Sequence, residues 1–141
     1  MLSVYPACFI KEEDGYTVLF PDLGDVATDG DTLNEAMEMA IDCLAGYLFS
    51  AKIDNDKIPA PSTLDSVDLD RIYVEYDTNA KDCFLTLVSV DVDEYAELHF
   101  NKPVKKTLTI PEWLNQIAIK RGINFSKVLK EALINELNLK D

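Results

Sequence analysis

The segment that most limits how this chain folds is Lys105-Lys106-Thr107-Leu108-Thr109-Ile110-Pro111, followed almost to the C-terminus by two short helical patterns. Side chains alternate faces along a strand, so Leu108 and Ile110 share one face while Lys105, Thr107 and Thr109 share the other. Pro111 suits the first position of a helix, where its missing N–H leaves no bond unmade. Leu114, Ile117 and Ala118 recur at helical spacing, and Gly122 ends that helix with Arg121 in its last turn. Asn124 is placed to cap a second helix, whose apolar face is Val128, Leu129, Ala132, Leu133 and Leu137. One strand and two short helices cannot close a core by themselves. A second copy completes the unit if the strands pair and four helices pack beneath them. The outer face is then a two-stranded ribbon of Lys, Thr and Thr from each chain, which fits the DNA major groove.

The segment therefore predicts a homodimer, open to further assembly, that binds operator DNA. Lys105, Thr107 and Thr109 would read bases, and Lys102 and Lys106 would neutralise phosphates. The N-terminus of the second helix, with Asn124 and Ser126, would hold a phosphate through free N–H groups. Trp113, in the first helical turn, is open to two roles, with packing within the dimer or against the acidic domain favoured over stacking on DNA.

Charge divides the chain at the same place. Residues 101–141 hold eight Lys and Arg against four acids, a balance of +4. The first hundred residues hold five basic and 22 acidic groups, a balance of −17, and the whole chain carries −13. An acidic body with a basic tail predicts two binding surfaces of opposite preference, one for a basic partner and one for nucleic acid.

Within residues 1–100 the pattern predicts an α+β domain of order β-β-β-α-β-β. Residues 2–10 and 16–20 form a hairpin about Gly15, with Pro6 placing the first strand at an edge or a bulge. Residues 25–28 are a short third strand. Thr32-Leu33-Asn34-Glu35 fits a capping box and opens a helix whose stripe includes Leu33, Ala36, Met37, Ala40, Ile41, Leu44, Tyr47 and Leu48. Residues 52–62 are a loop. Arg71–Tyr76 is expected to be a fourth strand and Cys83–Val90 a fifth, whose continuous apolar run suggests a central position. Asp93–His99 is a short helix, and Asn101-Lys102-Pro103 a hinge.

The residues argue against catalysis and call for no cofactor or metal. His99 has no fixed partner nearby in sequence, and neither a G-x-S-x-G nucleophile turn, a phosphate-binding glycine loop nor a Cys/His metal spacing occurs. Asp54 and Asp56 lack the further ligands of a calcium loop. Cys8, Cys43 and Cys83 are far apart and odd in number, most simply reduced thiols of a cytoplasmic protein. No apolar run is long enough to span a membrane, and a secretory leader pattern is not expected.

The segments Tyr5-Pro6-Ala7, Gly15-Tyr16-Thr17-Val18, Phe20-Pro21-Asp22-Leu23, Gly30-Asp31-Thr32-Leu33-Asn34-Glu35-Ala36, Ile58-Pro59-Ala60-Pro61 and Val90-Asp91-Val92-Asp93-Glu94-Tyr95 stand in an order and spacing that resemble the HicB antitoxin family. Lys105 to Leu133 resembles the ribbon-helix-helix regulators, the form of tail found in part of that family. One departure is the loop Asp22-Leu23-Gly24-Asp25-Val26, where relatives often carry Pro-Gly-Cys. The resemblance implies a partial ribonuclease-H-like domain without nuclease activity over residues 1–100, and a ribbon-helix-helix dimerisation and DNA-binding domain over 101–141. It further implies a HicA-like toxin as partner, a small basic mRNA-cleaving ribonuclease, and repression of the protein's own operon. For the toxin surface the candidates are Tyr16, Asp22, Asp25, Asp29 and Asp31. A ligand-sensing ribbon-helix-helix repressor without a toxin is the second reading, and a metal-dependent nuclease the third.

Overall fold

The computed structural model describes residues 1–100 and 104–138. The Asn101-Lys102-Pro103 hinge expected from sequence lies outside them, and so does Lys102 as a phosphate contact. The chain separates into two compact units, Met1–Lys102 and Pro103–Asp141.

The N-terminal unit is built on an antiparallel sheet of four strands, β1 (Ser3–Glu12), β2 (Gly15–Phe20), β3 (Val26–Gly30) and β4 (Cys83–Val90), in the order β3-β2-β1-β4. Three helices complete it: α1 (Leu33–Ile53), α2 (Leu69–Glu75) and α3 (Val92–His99). Helix α1 starts where its cap residues dictate. Thr32 Oγ1 accepts the Glu35 N–H at 3.1 Å, and Glu35 Oε2 reaches back to the Asp31 N–H at 3.2 Å. Its buried stripe of Ala36, Ala40, Leu44, Ala45 and Leu48 packs on Tyr5, Ala7, Phe9, Val18, Phe20 and Val88. Alanines let the helix approach closely at its start. A Cβ on Gly30 would sit 2.4 Å from the Ala36 nitrogen, so only glycine fits where β3 runs into α1. Behind the sheet, Cys8, Ile10 and Leu19 pack on Ile72 of α2. Each fully buried Phe, Leu or Ile contributes about 2 kcal/mol.

Three sequence-based expectations are corrected here. Arg71–Tyr76 is not a strand but most of α2. Asp68 caps it, its carboxylate accepting the Arg71 N–H at 3.1 Å, and Arg71 pairs with Glu75 one turn on at 2.9 Å. The β-branched and aromatic residues that suggested a strand need only one buried position, Ile72, which a helix supplies. The order is thus β-β-β-α-α-β-α. Second, β4 is an edge strand, although its apolar run suggested a central one.

Third, β1 is central despite Pro6. The Lys11 N–H donates to the Asp82 carbonyl at 2.7 Å, so odd-numbered residues of β1 bond towards β4 and even-numbered ones towards β2. The pairing with β2 begins only at Cys8. Pro6 therefore points its missing N–H at a side that has no ladder yet.

The C-terminal unit consists of α4 (Glu112–Lys120) and α5 (Phe125–Glu136). Gly122 joins them in a left-handed conformation, φ 65°. Residues 104–110 are exposed and form no strand within the single chain.

Candidate functional site

The C-terminal unit presents its candidate residues on open surface. Lys105, Lys106, Thr107 and Thr109 are all exposed, and so are Asn124 and Ser126. Asn124 caps α5 as its type predicts, its side-chain oxygen accepting the Lys127 N–H at 3.1 Å. Ser126 stands in the first turn beside it. No residue described between 104 and 138 is buried. Most apolar side chains of both helices lie bare, with Leu114 at 40%, Ile117 at 44% and Trp113 at 64% exposure, while Ala118, Leu129 and Ile134 are half-buried. An apolar stripe exposed over most of its length is the pattern of a contact face.

In the N-terminal unit the five acidic-rim candidates fall into two groups at opposite ends of the β2–β3 ladder. Tyr16 pairs with Gly30 at one end, and Phe20 with Val26 at the other. Four residues of strand separate them, about 13 Å. Tyr16 and Asp31 line an open cleft of about 540 Å³ at the hairpin tip, together with Lys11, Glu12 and Asp14. Asp29 is exposed on β3, opposite Thr17.

Asp22 and Asp25, at the far end, are held by internal bonds. The Asp22 carboxylate accepts the Ser62 N–H at 2.7 Å and the Ser62 hydroxyl at 2.6 Å, which ties down the Ile58–Ser62 loop. The Tyr5 hydroxyl donates to the Pro59 carbonyl of the same loop. Asp25, at φ 57°, takes a bidentate pair from Arg71 at 2.7 and 3.0 Å and a third bond from the Tyr76 hydroxyl at 3.0 Å. Arg71 holds the Asp25 carboxyl below its ordinary range, against an opposing push from burial and with help from Tyr76. Arg71 and Ser62 escaped sequence reasoning. The Asp68-x-x-Arg71-x-x-x-Glu75 spacing, a cap followed by an i,i+4 ion pair, was the local signal for Arg71.

Other polar groups have structural partners. The Tyr95 hydroxyl donates to Asp42 at 2.9 Å, and burial with that bond pushes its pKa up to about 12. His99 stacks on Tyr95 with ring centroids 3.9 Å apart. Burial, reinforced by Cys83, pushes the Cys8 thiol up to about 12. Burial also raises Cys43, with Asp42 beside it. Among the described residues no three His, Cys, Asp or Glu side chains converge as metal ligands. No helix among them is long and apolar enough to cross a membrane.

A family model described as "HicB_like antitoxin of bacterial toxin-antitoxin system" matches residues 5–132. Among curated proteins, Antitoxin HicB 1 of Photorhabdus laumondii is 50% identical over 50 residues, 36% of this chain and 32% of that one. Antitoxin HicB of Escherichia coli is 45% identical over 56 residues, 40% of this chain and 41% of that one. The matches thus span less than half the length of either relative. Among solved structures, a chain of a toxin–antitoxin complex from Streptococcus pneumoniae is 33% identical, with a TM-score of 0.61 over 96% of this chain and 99% of that one.

Proposed function

The chain belongs to the HicB-like antitoxin family of bacterial toxin–antitoxin systems, and from that premise we propose that it neutralises a HicA-like mRNA-cleaving toxin and represses its own operon. What carries the reading is a likeness to a chain of a toxin–antitoxin complex that extends over 96% of this chain, and so over both the acidic body and the basic tail. The charge division supports it independently. An RNA-cleaving enzyme needs a basic surface, and a body of balance −17 attracts one and speeds its capture. The body itself is not an enzyme in this reading: it acts by binding.

The tail acts as a ribbon-helix-helix dimer. Residues 105–110 of two copies pair into a ribbon, and the bare apolar faces of α4 and α5 become the dimer core. Lys105, Thr107 and Thr109 then face the major groove together, while Lys106 contacts phosphate and Asn124 and Ser126 place the start of α5 against another. Lys102 would add to the phosphate contacts.

Two experiments test the two halves. Purified full-length protein is expected to abolish RNA cleavage by the toxin encoded beside it; persistent cleavage at excess antitoxin would refute the first half. Thr107→Ala is expected to weaken operator binding about tenfold while leaving random-DNA binding almost unchanged. Lys106→Ala should weaken both and lower the salt slope by about one. Equal losses from the two substitutions would exclude base reading by Thr107.

A further inference from the structure

The two edges of the sheet are treated differently. At one edge, β3 is five residues long and carries Asp29, the kind of short, charged edge that resists pairing with another chain. At the other edge, β4 runs eight residues, Cys-Phe-Leu-Thr-Leu-Val-Ser-Val, without a charge or a proline. The bonding parity set by Lys11 and Asp82 directs Phe84, Thr86 and Val88 towards β1. Leu85, Leu87 and Ser89 therefore turn their N–H and C=O groups outward. Side chains beside this open ladder are bare too, with Phe84 42% and Leu87 50% exposed. Acids are exposed on the elements next to it in the chain: Asp65 on the turn before α2, and at the start of α3 Glu94 and Asp93, the latter paired with Lys52 at 3.0 Å.

We propose that β4 is the docking edge for the toxin, which adds a strand to the sheet along Leu85, Leu87 and Ser89. The proposal rests on the antitoxin reading and names where that contact is made. Strand addition satisfies the outward backbone groups in one step, and the apolar flanks of Phe84 and Leu87 give it a dry centre. Charge selects the occupant. A second acidic body would bring a like balance of −17 against the acidic rim, whereas a basic protein is drawn to it.

Amide hydrogen exchange on the full chain, alone and with the toxin encoded beside it, tests this directly. In the free protein the outward amides of Leu85, Leu87 and Ser89 exchange fast, while Phe84, Thr86 and Val88 are already slow. On complex formation the outward three are expected to slow at least about tenfold. Leu87→Pro removes one outward donor without touching the β1 ladder and should weaken toxin binding about tenfold. Ser89→Lys, which leaves the backbone intact and sets a positive charge against a basic partner, should do the same if Leu87→Pro does not fold. A complex that forms with the outward amides still fast, or that tolerates both substitutions, overturns the docking edge and leaves the antitoxin reading standing. Outward amides already slow in the free protein, and faster on dilution, would give the edge to a second copy and overturn the proposal. No association at all would remove the antitoxin reading itself.

Discussion

Phe9, Leu19, Phe20 and Leu44 of the N-terminal body are sealed within one chain, whereas Leu108, Trp113 and Leu137 of the C-terminal unit stand 62%, 64% and 62% exposed. Both regions carry amphipathic helices of ordinary pattern. The difference lies in what lies opposite each apolar stripe. Helix α1 finds a four-stranded sheet brought to it by β1, β2 and β4. Within their own unit, helices α4 and α5 have only each other, too little to close a core. The body therefore closes a core by itself, whereas in the proposed reading the tail closes one only with a second copy. The DNA binding proposed for the tail would follow the same rule, because a one-chain ribbon has no second strand.

The sharpest way to break this comparison is to hollow out the body. Phe9→Ala should cost about 4 kcal/mol in urea unfolding of the body, with no dependence on protein concentration. If that loss changed on dilution, the body would not be self-sufficient. The tail should behave in the opposite way. A hundredfold dilution is expected to lower the stability of the α4–α5 unit by about 2.7 kcal/mol, followed by the fluorescence of Trp113, the one tryptophan in the chain. A concentration-independent transition would exclude the dimer.

A smaller effect sharpens how the body holds its own α2. Arg71→Met should cost about 1 kcal/mol near pH 6, because the pair with Asp25 is bidentate but partly open to solvent. The folded-state pKa of Asp25 is depressed, so the stability it gives is fully present above the unfolded value, about 3.9, and is lost as pH falls through the folded value. The gap between wild type and Arg71→Met is thus expected to close below about pH 4 in acid unfolding followed by circular dichroism. A gap that persists at low pH would mean that Arg71 stabilises α2 by packing and not by its charge.

Much of the molecule was legible in residues that act over a single turn. Thr32 and Glu35 marked the start of α1, and Gly122 and Asn124 the corner between α4 and α5. These signals work because a cap or a helical stripe is decided by groups three or four residues apart. Whether Arg71–Tyr76 would be strand or helix was not so decided. That segment had strand-forming residues and a helix cap at once, and the partners its helix meets lie far off in sequence: Ile72 packs on Cys8, Ile10 and Leu19, and Arg71 pairs with Asp25, 46 residues earlier.

Only the closed tertiary structure fixed three things: Asp22 and Asp25 as internal ties, the central place of β1 despite its proline, and the bare outer edge of β4. An apolar strand reads alike whether its second side meets a neighbouring strand or open water, because that side is set by which segments, distant in sequence, return to lie beside it. In the proposed dimer the same dependence on distant partners would make the tail's own strand form only when a second chain is present.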